Sequence, residues 1–150
     1  MLNLPVFGNL LRESMMAEFT RTLSLLVGSG SMVVDALYKS ADVVGNVIYR
    51  DAIRLVAERT EKGIDMGDAM DASAVFPPMV VEMVKIGEQT GKLDESLLKA
   101  SEYFEREVEE TVKTMTTLLE PFIMVILALG VGFLIIAIIT PIYNLISSIG

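Results

Sequence analysis

The feature that most constrains this chain is at its carboxyl end. All 32 charged side chains, 12 basic and 20 acidic, fall between Arg12 and Glu120, and Pro121–Gly150 has none. Pro121–Ile139 has no polar side chain at all. At 1.5 Å rise per residue those nineteen positions span about 28 Å as a helix, close to the hydrocarbon thickness of a bilayer. Phe122–Ile139 holds thirteen Leu, Ile, Val or Phe residues, which together favour insertion by about 4–8 kcal/mol before discounts for position and for two glycines. A soluble core helix of this length would show a polar stripe at period 3.6, and none is present. The segment therefore reads as a transmembrane helix, and the 52% apolar composition and mean hydropathy of +0.53 follow from it.

Orientation follows from what must cross the bilayer. Arg106 and Lys113 precede the span, no Lys or Arg follows it, and the neutral tail Thr140–Gly150 is easier to move than the charged body. The body is expected in the cytoplasm and the C-terminus outside. A span so far from the N-terminus does not read as a signal peptide.

Zero Cys and zero His exclude disulfides, thiolate nucleophiles, Cys/His zinc sites and histidine acid–base catalysis. A net charge of −8 and a pI near 4.5 argue against nucleic acid, since phosphate binding needs a cationic stripe. Carboxylates alone could still form an acid–base pair, but no constellation beyond their abundance points to one, and no enzyme activity or cofactor is expected.

The body reads as helices. The first is expected over about 13–27, with Met15, Phe19, Leu23 and Leu26 on one face, ending in Gly28-Ser29-Gly30. A second, about 32–44, groups Val33, Val34, Leu37, Tyr38 and Ala41. Asn46 suits the N-cap of a third over 47–62, with Tyr49, Ala52, Ile53 and Val56 facing inward. Asp65 and Asp68 resemble a capping box for a short fourth helix ending near Met70. Phe76-Pro77-Pro78 starts a fifth, carrying Met79, Val80, Met83 and Val84 to about Gly87. In the sixth, Leu97, Ser101, Phe104, Val108, Thr111, Met115, Leu118 and Phe122 recur at steps of three and four into the apolar segment. That is one long helix, or two stacked with a kink at Pro121. The fold class is all-α: a six-helix cytoplasmic bundle whose last helix continues into a C-terminal transmembrane helix. The expected divisions are a connecting segment at 1–12, the bundle at 13–117, the membrane helix at 118–146 and a short tail at 147–150.

Gly87-Glu88-Gln89-Thr90-Gly91-Lys92-Leu93 resembles a phosphate loop only superficially. It has three residues between its glycines where a Walker A loop needs four, and Leu93 follows the lysine where Ser or Thr is required. It reads as a helix–turn–helix connection with Gly91 as a left-handed cap and Glu88 in the turn, where Glu88 could also meet a partner. Asp65, Asp68 and Asp71 lack the order of a calcium loop and read as capping and solvating groups. The run Glu102, Glu105, Arg106, Glu107, Glu109 and Glu110 is either a solvated face or an acidic docking surface. Ala128 and Gly132, with Gly130 alongside, would let another membrane helix approach closely, and Glu120 sits at the interface. The ten methionines fall mostly at core spacing.

These segments, in this order, resemble the type II secretion protein F family, the PilC-like inner-membrane platform proteins of type II secretion systems and type IV pili. The resemblance is carried by Leu4-Pro5-Val6-Phe7-Gly8, by Phe19–Leu26 and Gly28-Ser29-Gly30, and by Asp35-Ala36-Leu37 and Asn46–Arg50. It continues through Phe76–Val80 and Gly87–Asp94, the most specific part, and Glu120-Pro121 then opens a span ending at Pro141-Ile142. It implies the second cytoplasmic domain and last membrane helix of a protein with two related domains and three spans. It also implies a role coupling a cytoplasmic assembly ATPase to pilins or pseudopilins, with other inner-membrane assembly proteins and further copies of itself as partners. The candidate positions are the turn residues Gly87, Glu88, Gly91 and Leu93 and the membrane residues Glu120, Pro121 and Pro141, which lie in the resembling segments, with Ala128, Gly130 and Gly132, which the small-residue spacing singles out. The competing reading is a tail-anchored adaptor or receptor unrelated to pili; a transporter subunit is disfavoured by the lack of intramembrane charge.

Overall fold

A computed structural model describes residues 5–150. It contains six helices: α1 (Pro5–Gly28), α2 (Val33–Val43), α3 (Val47–Glu61), α4 (Met66–Ser73), α5 (Pro78–Thr90) and α6 (Leu93–Ser147). No strand occurs among the described residues. The chain divides at Glu110 and Thr111 into two compact units.

The first unit is a bundle in which helices pack largely against their neighbours in sequence, α1 on α2, α2 on α3, α3 on α4 and α4 on α5. Its centre is filled by Met16, Phe19, Leu23, Leu37, Ile53, Met66, Met70, Val80, Val84 and Leu97, each 0% exposed. Burying each such side chain favours folding by about 1.5–3 kcal/mol. Phe19 of α1 and Phe76, ahead of α5, bring their rings to a centroid separation of 5.9 Å. Buried hydroxyls find acceptors: Thr20 donates to the Met16 carbonyl at 2.7 Å and Ser40 to that of Ala36 at 2.7 Å. Ser24 reaches the carbonyl of Asp94 at 2.8 Å and ties α1 to the first turn of α6.

Several boundaries differ from the sequence expectation. α1 already includes Pro5, eight positions ahead of Glu13; residues 1–4, Leu4 among them, lie outside the described part. α2 is turned so that Ala36 and Ser40 join Leu37 and Ala41 inside, leaving Val34 half-buried. α4 runs past Met70 to Ser73. α5 continues past Gly87 to Thr90, so Glu88 lies in its last turn and not in the connection.

The second unit is the remainder of α6. The helix is unbroken from Leu93 to Ser147, with Pro121 and Pro141 inside it. It contains a stretch long and apolar enough to cross a membrane, none of it buried by the protein itself. The stripe read from the sequence is buried through Leu97, Ser101 and Phe104, half-buried at Val108, and exposed at Leu118 and Phe122. Its spacing persists into a region where lipid, not a protein core, is the natural complement.

Candidate functional site

The most constrained junction of the bundle lies where the end of α5 meets the start of α4 and the start of α6. Helix α4 has eight residues, too few to be stable alone, and its first N–H groups need acceptors. Asp65, the expected cap, makes no side-chain hydrogen bond to them. The acceptor comes from α5. The Glu88 carboxylate accepts from the Met66 amide at 2.7 Å through Oε1 and from the Gly67 amide at 2.9 Å through Oε2. An anion bridging two N–H groups at a helix N-terminus has both charge-assisted hydrogen bonding and the helix dipole in its favour. The capping-box reading of Asp65 and Asp68 is thereby corrected: the acidic cap is supplied across the bundle.

Gly67 makes that approach possible. A Cβ at this position would stand 2.4 Å from Lys85 Cγ and 3.2 Å from Glu88 Oε2. One helical turn before Glu88 on α5, Lys85 pairs with Asp71 at 2.9 Å and Asp68 at 3.3 Å. The hydrogen bond that Lys85 donates to Asp71 outweighs partial desolvation and, with Asp68 adding to it, holds the Lys85 ammonium above its ordinary pKa. Asp68 and Asp71 are thus ion-pair partners. Among the described residues no group of three or more His, Cys, Asp or Glu side chains is placed to hold a metal ion.

The other side of the same turn faces α6. A Cβ on Gly87 would lie 2.8 Å from Leu93 Cα and 3.1 Å from Ser96 Cβ. The Gly87 carbonyl accepts from Gly91 and, at 3.0 Å, from the Lys92 amide. Gly91 has φ +70, a conformation that strains any residue with a side chain. The structure brings Gly87, Glu88, Gly91 and Leu93 together, with Leu93 8% exposed. Sequence reasoning missed Gly67 and Lys85, whose roles depend on residues distant in sequence, Glu88 lying 21 positions from Gly67 and Asp71 14 positions from Lys85. A glycine in the first turn of a short helix was the signal available for Gly67.

The remaining positions sit on the second unit. Glu120, Pro121, Ala128, Gly130 and Pro141 are exposed along α6, Gly132 is half-exposed, and a Cβ on Gly130 or Gly132 would meet nothing within 4 Å. Pro121 has no N–H to offer the Thr117 carbonyl one turn earlier. In the acidic run, Glu105 pairs with Arg21 of α1 and Glu102 lies 4.0 Å from Arg106. Glu18, Glu105 and Glu109 rim an open groove between α1 and α6 whose apolar contacts are Ala17 and Val108.

Comparison with known sequences accounts for both units together. The family described as Type II secretion system (T2SS), protein F matches residues 19–141, from the middle of α1 to near the end of α6. The chain belongs to this protein F family. The family's relatives serve two related machines by name. The chain is 38% identical over 149 residues to type IV pilus assembly protein PilC of Pseudomonas aeruginosa, covering 99% of this chain and 40% of that protein. It is 41% identical over 144 residues to type IV pilus assembly protein TapC of Aeromonas hydrophila, covering 96% and 35%. To type II secretion system protein F of Pseudomonas aeruginosa it is 31% identical over 150 residues, covering 100% and 37%. The chain spans two fifths or less of the length of these protein F relatives.

Proposed function

We propose that the chain acts as part of a non-enzymatic platform in the inner membrane of a type IV pilus or type II secretion machine, coupling a cytoplasmic assembly ATPase to pilin or pseudopilin assembly. The observation that carries this reading is the family match, which runs through the helical bundle and into the apolar stretch of α6. The charge asymmetry supports a cytoplasmic bundle and an outside C-terminus, because 32 charged side chains precede the apolar segment and none follows it. No Walker A pattern occurs in this sequence, and in this reading the movement comes from a partner that hydrolyses nucleotide, with α6 as the element that passes it on. The exposed small residues Ala128, Gly130 and Gly132 suit close packing against other membrane helices, including those of further copies.

The test is genetic and biochemical together. Deleting the gene that encodes this chain is expected to abolish surface pili or secretion while the assembly ATPase still accumulates and hydrolyses ATP. Photo-crosslinkers on exposed bundle positions such as Ile48 or Leu55 should capture that ATPase. Normal piliation and normal secretion in the deletion strain would overturn the reading, and so would nucleotide hydrolysis by the purified chain.

A further inference from the structure

Two adjacent residues of α5 hold two different helices. Glu88 accepts from the first amides of α4 at 2.7 and 2.9 Å, while Gly87 lets the first turn of α6 approach so closely that a methyl group would meet Leu93 Cα at 2.8 Å. The same Gly87 carbonyl closes the connection to α6 through Gly91 and Lys92. We propose that positions 87 and 88 form a two-sided latch that ties the seating of α6's first turn to the capping of α4, so that displacing α6 releases α4.

Three features make α4 the element that gives way. It is eight residues long, so it depends on its cap and its docking. Asp65 contributes no side-chain cap bond, which leaves Glu88 as the side chain that accepts from its leading amides. Its close approach to α5 at Gly67 leaves no room for α5 to shift toward it, since the would-be Cβ already lies 3.3 Å from the Lys85 backbone. A displaced α6 draws the last turn of α5 with it through the Gly91 and Lys92 bonds to the Gly87 carbonyl, and so carries the Glu88 carboxylate off both amides at once. Lys85 retains α4 through Asp68 and Asp71, but its flexible four-carbon stem and the two solvated carboxylates let these ion pairs follow a shift that breaks the paired amide bonds to Glu88. The latch stands on this geometry alone and is independent of the platform reading.

Amide hydrogen exchange of the full chain in lipid nanodiscs tests it. In Glu88→Gln one side-chain oxygen still accepts, but the NH2 group faces the second amide. Exchange at Met66 and Gly67 should rise tenfold or more. Coupling free energies are reciprocal, so exchange at Ser96 and Leu97 in α6 should rise as well, by at least threefold. Gly87→Ala, which does not touch α4, should raise exchange at Met66 and Gly67 at least threefold, while Gln89→Ala, on the exposed side, should change neither site. Exchange at Met66 and Gly67 within twofold of wild type in Glu88→Gln would overturn the latch. If Glu88→Gln opened α4 and left Ser96 and Leu97 within twofold, the tie between the two helices would be overturned, even were Gly87→Ala to fail to fold.

Discussion

At the scale of single residues, the phenol of Tyr103 is surrounded by carboxylates. Glu107 is the strongest influence, followed by partial desolvation, with Glu13 and Glu110 adding to it; all raise the phenol's pKa above its ordinary value. The folded state then binds the phenolic proton more tightly than the unfolded chain. That contribution is fully present below the unfolded value near 10 and is lost as pH climbs through the raised folded value, so it bears only on alkaline conditions. Replacing Glu107 by Gln should move the Tyr103 titration midpoint down toward the ordinary value, read from the tyrosine Cζ resonance by NMR. An unchanged midpoint would refute the assignment. Residues also differ in how much of their role the sequence exposes. Gly91 and Asn46 were legible because their partners lie within four positions. The sequence puts Glu88 in the connection, whereas it lies in the last turn of α5 and its partners Met66 and Gly67 are 22 and 21 residues away. Local pattern favoured Asp65, whose side chain makes no cap bond.

Among the elements, helix ends carry the sharpest energetic consequences. Asn46 has φ −131 and ψ 128, and its Oδ1 accepts from the Ile48 amide at 2.8 Å and the Tyr49 amide at 3.4 Å. Removing such a cap costs about 0.5–2 kcal/mol. Asn46→Ala should therefore lower the stability of the bundle by that amount, measured as a shift in the denaturant midpoint at constant slope, while Asn46→Asp should retain most of it. A loss below a few tenths of a kcal/mol in the alanine variant would show that the observed bonds contribute little. The existence and order of the six helices were readable from 3.6-residue periodicity and from glycine and proline punctuation. Their lengths were less so: α1, α4 and α5 each run beyond the expected ends, because tertiary packing extends helices past the point where local signals stop. The stripe along α6 shows the limit of periodicity, for the same spacing serves a packed core at Leu97 and an exposed face at Phe122.

The whole molecule divides by contact at Glu110 and Thr111, and its last charged residue, Glu120, lies inside the second unit just ahead of the apolar stretch. A membrane-spanning chain should stay with the vesicle pellet through high salt and urea. Leu129→Arg, near the middle of the apolar stretch, should shift it measurably toward the supernatant, since an arginine there costs about 2.5–3.5 kcal/mol of insertion. Release of the unmodified chain by urea would contradict a spanning helix. The bundle's pairing of successive helices has one more effect, on how the protein is made. Contacts between neighbours in sequence close quickly, within microseconds to milliseconds for helical domains, whereas a ribosome adds only about 5–20 residues per second. The pairings among α1 to α5 can close while the oily stretch near the carboxyl end is still being made. Fewer unsatisfied greasy surfaces then stand open at one time, which limits mispairing within the nascent chain.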